Sequence, residues 1–296
     1  MRLSLIKLTF ISLLILFVSC EKIIPFDNSN FKPKLVINAF NTPDGILEIQ
    51  FNTSFNLLGE EDTIGIVNPI EIQLFKGNTR IIRETYIPNK GQVFIPILLE
   101  ENQTYTMEAQ TEGFPTITST DKVPKNISEI QVDTSLRDIV NYKVNVGISD
   151  PLDTNFYVLD VLVNGLEKST TIDSVYKSYP VVFSSTEKLF LSSFQRIASG
   201  VNTAFFEDIL FNGNFKTIQL LIPIDNILRP DFKATSFTVR LKSVSSQMFE
   251  FYRLLFQNNN AFGGPLYYEG QLEGNINSGL GGFYFYNEQQ KEVLIR

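Results

Sequence analysis

The chain has 296 residues, with 32 acids against 25 basic residues, a formal charge of −7, one cysteine, and no histidine or tryptophan. These counts exclude an intrachain disulfide, Ser-His-Asp and Cys-His catalysis, and the usual zinc sites. An acidic chain without a basic run is also poorly suited to nucleic acid, whose binding depends on neutralising phosphates.

The first segment reads as a targeting signal. Arg2 and Lys7 form a short basic region, and Leu8 to Val18 is apolar except for Thr9 and Ser12. This run is too short for the roughly twenty apolar residues that a spanning helix needs, and Glu21 and Lys22 end it. Leu16-Phe17-Val18-Ser19-Cys20 resembles a bacterial lipobox, which implies cleavage before Cys20 and lipid on that cysteine. Each buried methylene contributes about 0.8 kcal/mol, and more than one acyl chain anchors stably. Cleavage removes residues 1–19 with both of their basic side chains, leaving 23 basic residues against 32 acids and a net charge of −9. Residues 20–34 then form a tether interrupted by Pro25, Asp27, Asn28 and Pro33. Its reach averages roughly 20 Å, enough to stand a domain off a membrane.

From Leu35 the pattern is strand after strand, and the fold class is mainly β. Leu35 to Phe40 precedes the turn signal Thr42-Pro43-Asp44-Gly45, and Ile46 to Phe51 follows as a mixed strand. Ile70, Ile72 and Leu74 alternate with Glu71 and Gln73, which sets a buried face against a wet one. Arg80–Ile87, Val93–Leu98 and Thr104–Gln110 continue the run, while Asn52–Asn68 reads as an exposed loop. Residues 35–124 are therefore expected to form a β-sandwich of immunoglobulin or transthyretin type. Val123-Pro124-Lys125-Asn126 marks the boundary, and residues 125–296 form a second β-rich domain. Its strands are expected at Lys143–Ser149, Phe156–Val163, Thr217–Ile222 and Ser236–Val244, with a short turn or 3₁₀ piece at 205–215. One helix is expected, capped by Ser245 or Ser246 and carrying an apolar face from Met248 to Phe256.

The remaining chemistry is carboxylate chemistry. Glu60, Glu61 and Asp62 read as a solvated acidic loop. Glu207 and Asp208 lie between Phe206 and Ile209, where a polar turn is favoured over a hydrolytic pair. Asp150, Asp153 and Asn155 read as a capped turn in preference to a calcium loop, and neither a metal nor a cofactor is expected. Tyr267-Tyr268 and Phe283-Tyr284-Phe285-Tyr286 are read as core aromatics rather than a surface patch. Asp62-Thr63-Ile64 and Asp173-Ser174-Val175 resemble the O-glycosylation acceptor motif of Bacteroidota, which makes Thr63 and Ser174 candidate sites.

The C-terminal segment carries a family resemblance. Gly263-Gly264-Pro265 leads into Gly274-Asn275-Ile276-Asn277-Ser278-Gly279-Leu280-Gly281-Gly282-Phe283. This resembles the closing signature of the Bacteroidota lipoprotein family called domain of unknown function 4249, and Phe206 to Gly213 resembles that family's acidic-aromatic segment. The resemblance implies an outer-membrane lipoprotein, commonly encoded beside TonB-dependent receptors, with a non-enzymatic accessory role in transport or assembly. Its partner would then be an outer-membrane protein, with Glu207, Asp208, Asn275, Gly279, Gly281 and Phe283 as candidate partner-surface residues. For the glycines a tight bend at a sheet corner is preferred to docking. A surface adhesin or glycan-binding module and a carboxylate hydrolase are the alternatives. Only Glu21 is acidic just after Cys20, so the surface and periplasmic faces of the outer membrane both stay open. Cys20→Ala is expected to leave a soluble or retained precursor with folded β domains. Membrane fractionation checks this, and continued attachment of the variant would refute the lipid anchor.

Overall fold

The computed structural model describes residues 32–54, 68–135, 140–168, 174–187, 189, 201–260 and 274–295. Cys20, the tether up to Phe31, and Thr63 lie outside them. The fold is mainly β, with a sandwich-rich architecture and a helix, as the alternation predicts.

The first half contributes β1 (Leu35–Asn41), β2 (Ile46–Thr53), β3 (Ile70–Lys76), β4 (Thr79–Tyr86), β5 (Gln92–Pro96), β6 (Thr104–Thr111) and β7 (Ile117–Lys122). Strands β1, β2 and β5 follow one another antiparallel in one sheet, and β4-β3-β6-β7 is the order of the other. The burial of β1 alternates strictly: Leu35, Ile37 and Ala39 are fully buried, and the residues between them are not. The same period in β2, β3 and β6 places Ile49, Phe51, Ile72, Leu74 and Met107 in one shared core. Strand β4 is exposed along most of its length and lies at an edge, where Arg80 and Arg83 help keep it from pairing further.

The second half contributes β8 (Gln131–Ser135), β9 (Asn141–Ser149), β10 (Phe156–Glu167), β11 (Val175–Pro180), β12 (Thr203–Glu207), β13 (Phe215–Pro223) and β14 (Phe232–Val244). A sheet in the order β13-β9-β8 packs on one built around β10 and β14. Strand β10 is long enough to pair with β14 on one side and with both β11 and β12 on the other. Its inward residues Tyr157, Leu159, Val161 and Val163 meet Val146, Ile148, Leu220 and Phe237 in the second core. The stretch expected as a turn at 205–215 begins instead as β12. Ala204 and Phe206 fill the second core while Phe205 faces the opposite side of the sheet.

Helix α1 (Ser246–Asn260) lies on that opposite side. The Ser245 hydroxyl accepts the Met248 N–H at 3.2 Å, and the Ser245 carbonyl accepts that of Phe249 at 3.0 Å, so Ser245 is the cap. Met248 and Phe249 are buried against Val158, Phe205 and Val244. The Phe156–Phe249 and Phe205–Tyr252 ring centroids are 4.7 Å and 4.8 Å apart. Among the described residues no helix is long and apolar enough to cross a membrane.

The chain ends with β15 (Leu280–Tyr284) and β16 (Tyr286–Leu294), separated by Phe285 alone. Strand β15 runs parallel to β1 in the first sandwich, with Ile37 opposite Gly281. Strand β16 runs antiparallel to β14 in the second, with Val244 opposite Tyr286. The first sandwich is thus completed by residues far beyond position 124. Phe283 and Phe285 are fully buried in its core, 4.7 Å apart edge to face, and Tyr105 packs 5.7 Å from Phe285. Phe285→Ala is expected to cost about 3–5 kcal/mol, since the ring leaves a cavity between two aromatic neighbours. Urea unfolding checks this; a loss below about 1 kcal/mol would contradict the assigned packing.

Candidate functional site

Two loops of the second sandwich are locked together by buried carboxylates. One joins β9 to β10 and holds Asp150 to Asn155; the other joins β12 to β13 and holds Asp208 to Asn214. Asp150 accepts the Gly213 N–H at 2.7 Å and, on its other oxygen, the Tyr157 hydroxyl. Asp208, 1% exposed, accepts the Asn155 N–H at 2.8 Å and the Asn155 side-chain amide at 3.1 Å, and its own N–H donates to the Asn155 carbonyl at 3.2 Å. The turn is closed by Phe211 N–H to the Asp208 carbonyl at 2.7 Å and Asn214 N–H to the Phe211 carbonyl at 2.8 Å. Gly213 has φ +71°, a backbone conformation that favours glycine, while a Cβ there would meet only the exposed Leu152 side chain, which can move aside.

The electrostatics fit a brace. Burial lifts the Asp150 carboxyl above its ordinary range, Tyr157 and the Gly213 N–H oppose the rise, and the charge of Asp208 adds to it. Burial, followed by Asp150, drives the Tyr157 phenol up as well. General acid-base work would require a carboxyl open to a substrate. Asp208 is instead closed in on backbone and amide donors, while Glu207 beside it is exposed. Asp153 turns outward to Lys125 at 2.6 Å, which holds its carboxyl below the usual range, and the Asn155 amide donates to the carbonyls of Pro151 and Asp153 at 2.9 and 2.8 Å. Asp150, Asp153 and Asn155 therefore form a capped turn and do not converge their oxygens on one point.

What the brace presents is apolar. Ile209 and Leu210 at the tip of the turn are 70% and 60% exposed, and Leu152 on the facing loop is 72% exposed. They stand on backbone fixed from below by Asp150 and Asp208.

The glycine-rich end has a different geometry. The Asn275 carbonyl accepts the Ser119 hydroxyl at 2.7 Å, and its side chain pairs reciprocally with the Phe283 backbone: Oδ1 accepts the N–H at 2.8 Å and Nδ2 donates to the carbonyl at 2.7 Å. Ile276 enters the first core, and Asn277 bridges Thr118 on the edge of β7. A Cβ on Gly279 would lie 2.8 Å from the Leu35 carbonyl oxygen; on Gly281, which has φ +100°, it would lie 1.9 Å from that of Ile37. These glycines sit where β15 presses on β1. Phe283 is core, so of the candidate surface residues only Glu207 is openly exposed, while Asn275, Gly279 and Gly281 are partly covered. Ser174 is exposed just ahead of β11; Thr63, Tyr267 and Tyr268 lie outside the described residues.

The sequence reading missed two residues whose side chains serve the crossing strand. Asn41 repeats the reciprocal pairing on Tyr286, accepting its N–H at 2.8 Å and donating to its carbonyl at 2.8 Å. Asp121 accepts the Phe285 N–H at 3.0 Å, and the Ser245 N–H donates to the Phe285 carbonyl at 3.0 Å. A signal existed: Asn41 continues the inward register of Leu35, Ile37 and Ala39, and Asp121 that of Ile117 and Ser119.

Together these features define a β protein of two sandwiches joined by a shared C-terminal strand. The chain belongs to the family described as Domain of unknown function (DUF4249), which it matches over residues 21–292. No curated protein matches it. Among solved structures it is similar to the apo structure of Bacteroides uniformis beta-glucuronidase 3, at 12% identity and a TM-score of 0.21, over 73% of this chain and 24% of that one. The chain spans about a quarter of that enzyme's length, and a likeness this slight carries no argument.

Gly281→Ala tests the close approach. It combines a clash on β1 with unfavourable φ, whereas Gly77, at φ +54°, has nothing within 4 Å of its would-be Cβ. Thermal unfolding should show a loss of about 1 kcal/mol for Gly77→Ala and a clearly larger one, above about 2 kcal/mol, for Gly281→Ala. Equal losses would mean that β15 does not press on β1.

Proposed function

We propose that this protein is a lipid-anchored, non-enzymatic component of the cell envelope that docks onto an outer-membrane partner of the TonB-dependent receptor type. The lipobox-like Cys20 and the family membership support the setting. The observation that carries the docking role is the braced turn, where Ile209 and Leu210 project into solvent beside Leu152 from a base held by buried carboxylates. Exposed aliphatic side chains on a fixed backbone suit a partner with an apolar pocket, because little conformational entropy remains to be lost on binding. Glu207 at the rim would bias orientation more than affinity.

A tagged, lipidated protein captured from detergent-solubilised membranes is expected to bring down an outer-membrane protein. The double substitution Ile209→Asp, Leu210→Asp is expected to reduce that recovery at least about tenfold, with the fold intact by circular dichroism. Wild-type capture of no outer-membrane protein would refute the reading. Unchanged recovery by the variant would move the docking surface elsewhere on the molecule. Protease shaving of intact cells then distinguishes the outer face from the periplasmic one.

A further inference from the structure

The joint between the two sandwiches is made by side chains that reach across to backbone. Asn41 holds Tyr286, the Ser243 hydroxyl donates to the Lys125 carbonyl at 2.8 Å, and the Asn287 amide donates to the Pro124 carbonyl at 2.7 Å. One of these side chains ionises. Asp121 on β7 is 2% exposed and receives the Phe285 N–H at 3.0 Å, the Ser245 hydroxyl, and the N–H of its own neighbour Lys122. Among the described residues no lysine or arginine forms an ion pair with it.

The groups around it do not compensate the charge. Lys122 follows on β7 with its side chain exposed, on the opposite face. Across from Asp121 on β6 stands Tyr105, whose oxygen accepts the Glu100 N–H at 3.0 Å. On the crossing strand is Tyr284, whose phenol is driven up by burial and then by the charge of Asp121. The first turn of α1 carries no acid; its first charged residue is Glu250, which is exposed.

We infer that Asp121 makes this joint proton-sensitive: the carboxyl, enclosed by β7, the crossing strand and the first turn of α1, takes a proton from water as the joint closes and returns it as the joint opens. The protonated acid keeps one oxygen for the Phe285 N–H and donates its O–H to the Ser245 hydroxyl oxygen, which accepts it alongside the Met248 N–H. Burial supports this by lifting the carboxyl from 3.8 to about 6 in the closed state. The sign follows from linkage. The closed state binds the proton more tightly than the open one, so acid favours closure. The gain is complete below the ordinary carboxylate value and is lost as pH rises through about 6.

Hydrogen exchange at the Phe285 amide reads this opening directly in the intact mature protein. Corrected for intrinsic rate, protection is expected to rise about tenfold from about pH 7.5 to about pH 5, and Asp121→Asn is expected to flatten that dependence. Equal wild-type protection at both pH values, or the same dependence in the variant, would overturn the inference. Should Asp121→Asn not fold, carbon NMR titration of the wild-type carboxyl decides. A midpoint near 6 upholds the inference and one near 4 defeats it.

Discussion

The structure depends on serving the backbone of a strand that changes sheets. Residues 280–284 ride along β1 in parallel, and residues 286–294 run against β14. A strand leaving one ladder for another must pass through a stretch where its amides and carbonyls lack partners on at least one side. Each group left bare in a core costs roughly 1–3 kcal/mol. Here Asn275 serves Phe283, Asp121 and Ser245 serve the two groups of Phe285, and Asn41 serves Tyr286. The donors and acceptors come from β1, β7, the cap of α1 and the loop ahead of β15. The crossing therefore ties every one of these elements to the same three residues, Phe283, Phe285 and Tyr286. Remove that service and the Phe283 and Phe285 rings lose the backbone that carries them into the first core.

The same device recurs at the braced turn. A buried carboxylate is normally a liability, because desolvation disfavours its charge. It is tolerated where it meets more than one backbone, amide or hydroxyl donor, and Asp150, Asp208 and Asp121 each do so. An acid holds two or three donors in fixed directions, which an apolar residue cannot do. In exchange, the neighbouring structure becomes sensitive to protonation. Asp150 and Asp121 both have carboxyls lifted above their ordinary range, first by burial. A chain without histidine thus acquires acid-sensitive groups from carboxylates alone.

Much of the fold was legible in the sequence because burial with period two leaves a plain record. Leu35-Val36-Ile37-Asn38-Ala39, Ile70 to Leu74 and Ser236 to Val244 all declare which face is inward, and the structure places those faces in its cores. The cap at Ser245 was legible for a local reason too, since hydroxyl, spacing and apolar stripe fall within one turn. Pairing over long range was not. Nothing in Leu280 to Tyr284 states that its partner is β1, some 245 residues earlier at the Asn41–Tyr286 contact. Gly279 and Gly281 announce that a backbone comes close without saying which one. Asp208 could be singled out by its apolar neighbours, but its relation to Asp150 is made only when two loops meet. The end of β12 was misread because Phe205 and Phe206 serve opposite faces of one sheet, which on paper looks like a plain apolar pair.

These constraints bear on what the second sandwich can do. A surface turn with exposed aliphatic tips would ordinarily fold back onto the nearest apolar surface, since burying a side chain of that size is worth about 1.5–3 kcal/mol. Ile209 and Leu210 stay out because the backbone beneath them is pinned at both ends, by Asp208 at its start and by Asp150 through Gly213 at its close. Phe211 provides the inward anchor, buried beside Tyr157 and Phe206. The turn thus separates its residues by role: one ring into the core, two side chains into solvent, and the polar groups between them closed off. Under the proposed docking role this separation is the useful property. A partner meets a surface already in its bound shape, and the free energy of burying the tips goes into association instead of into ordering the loop.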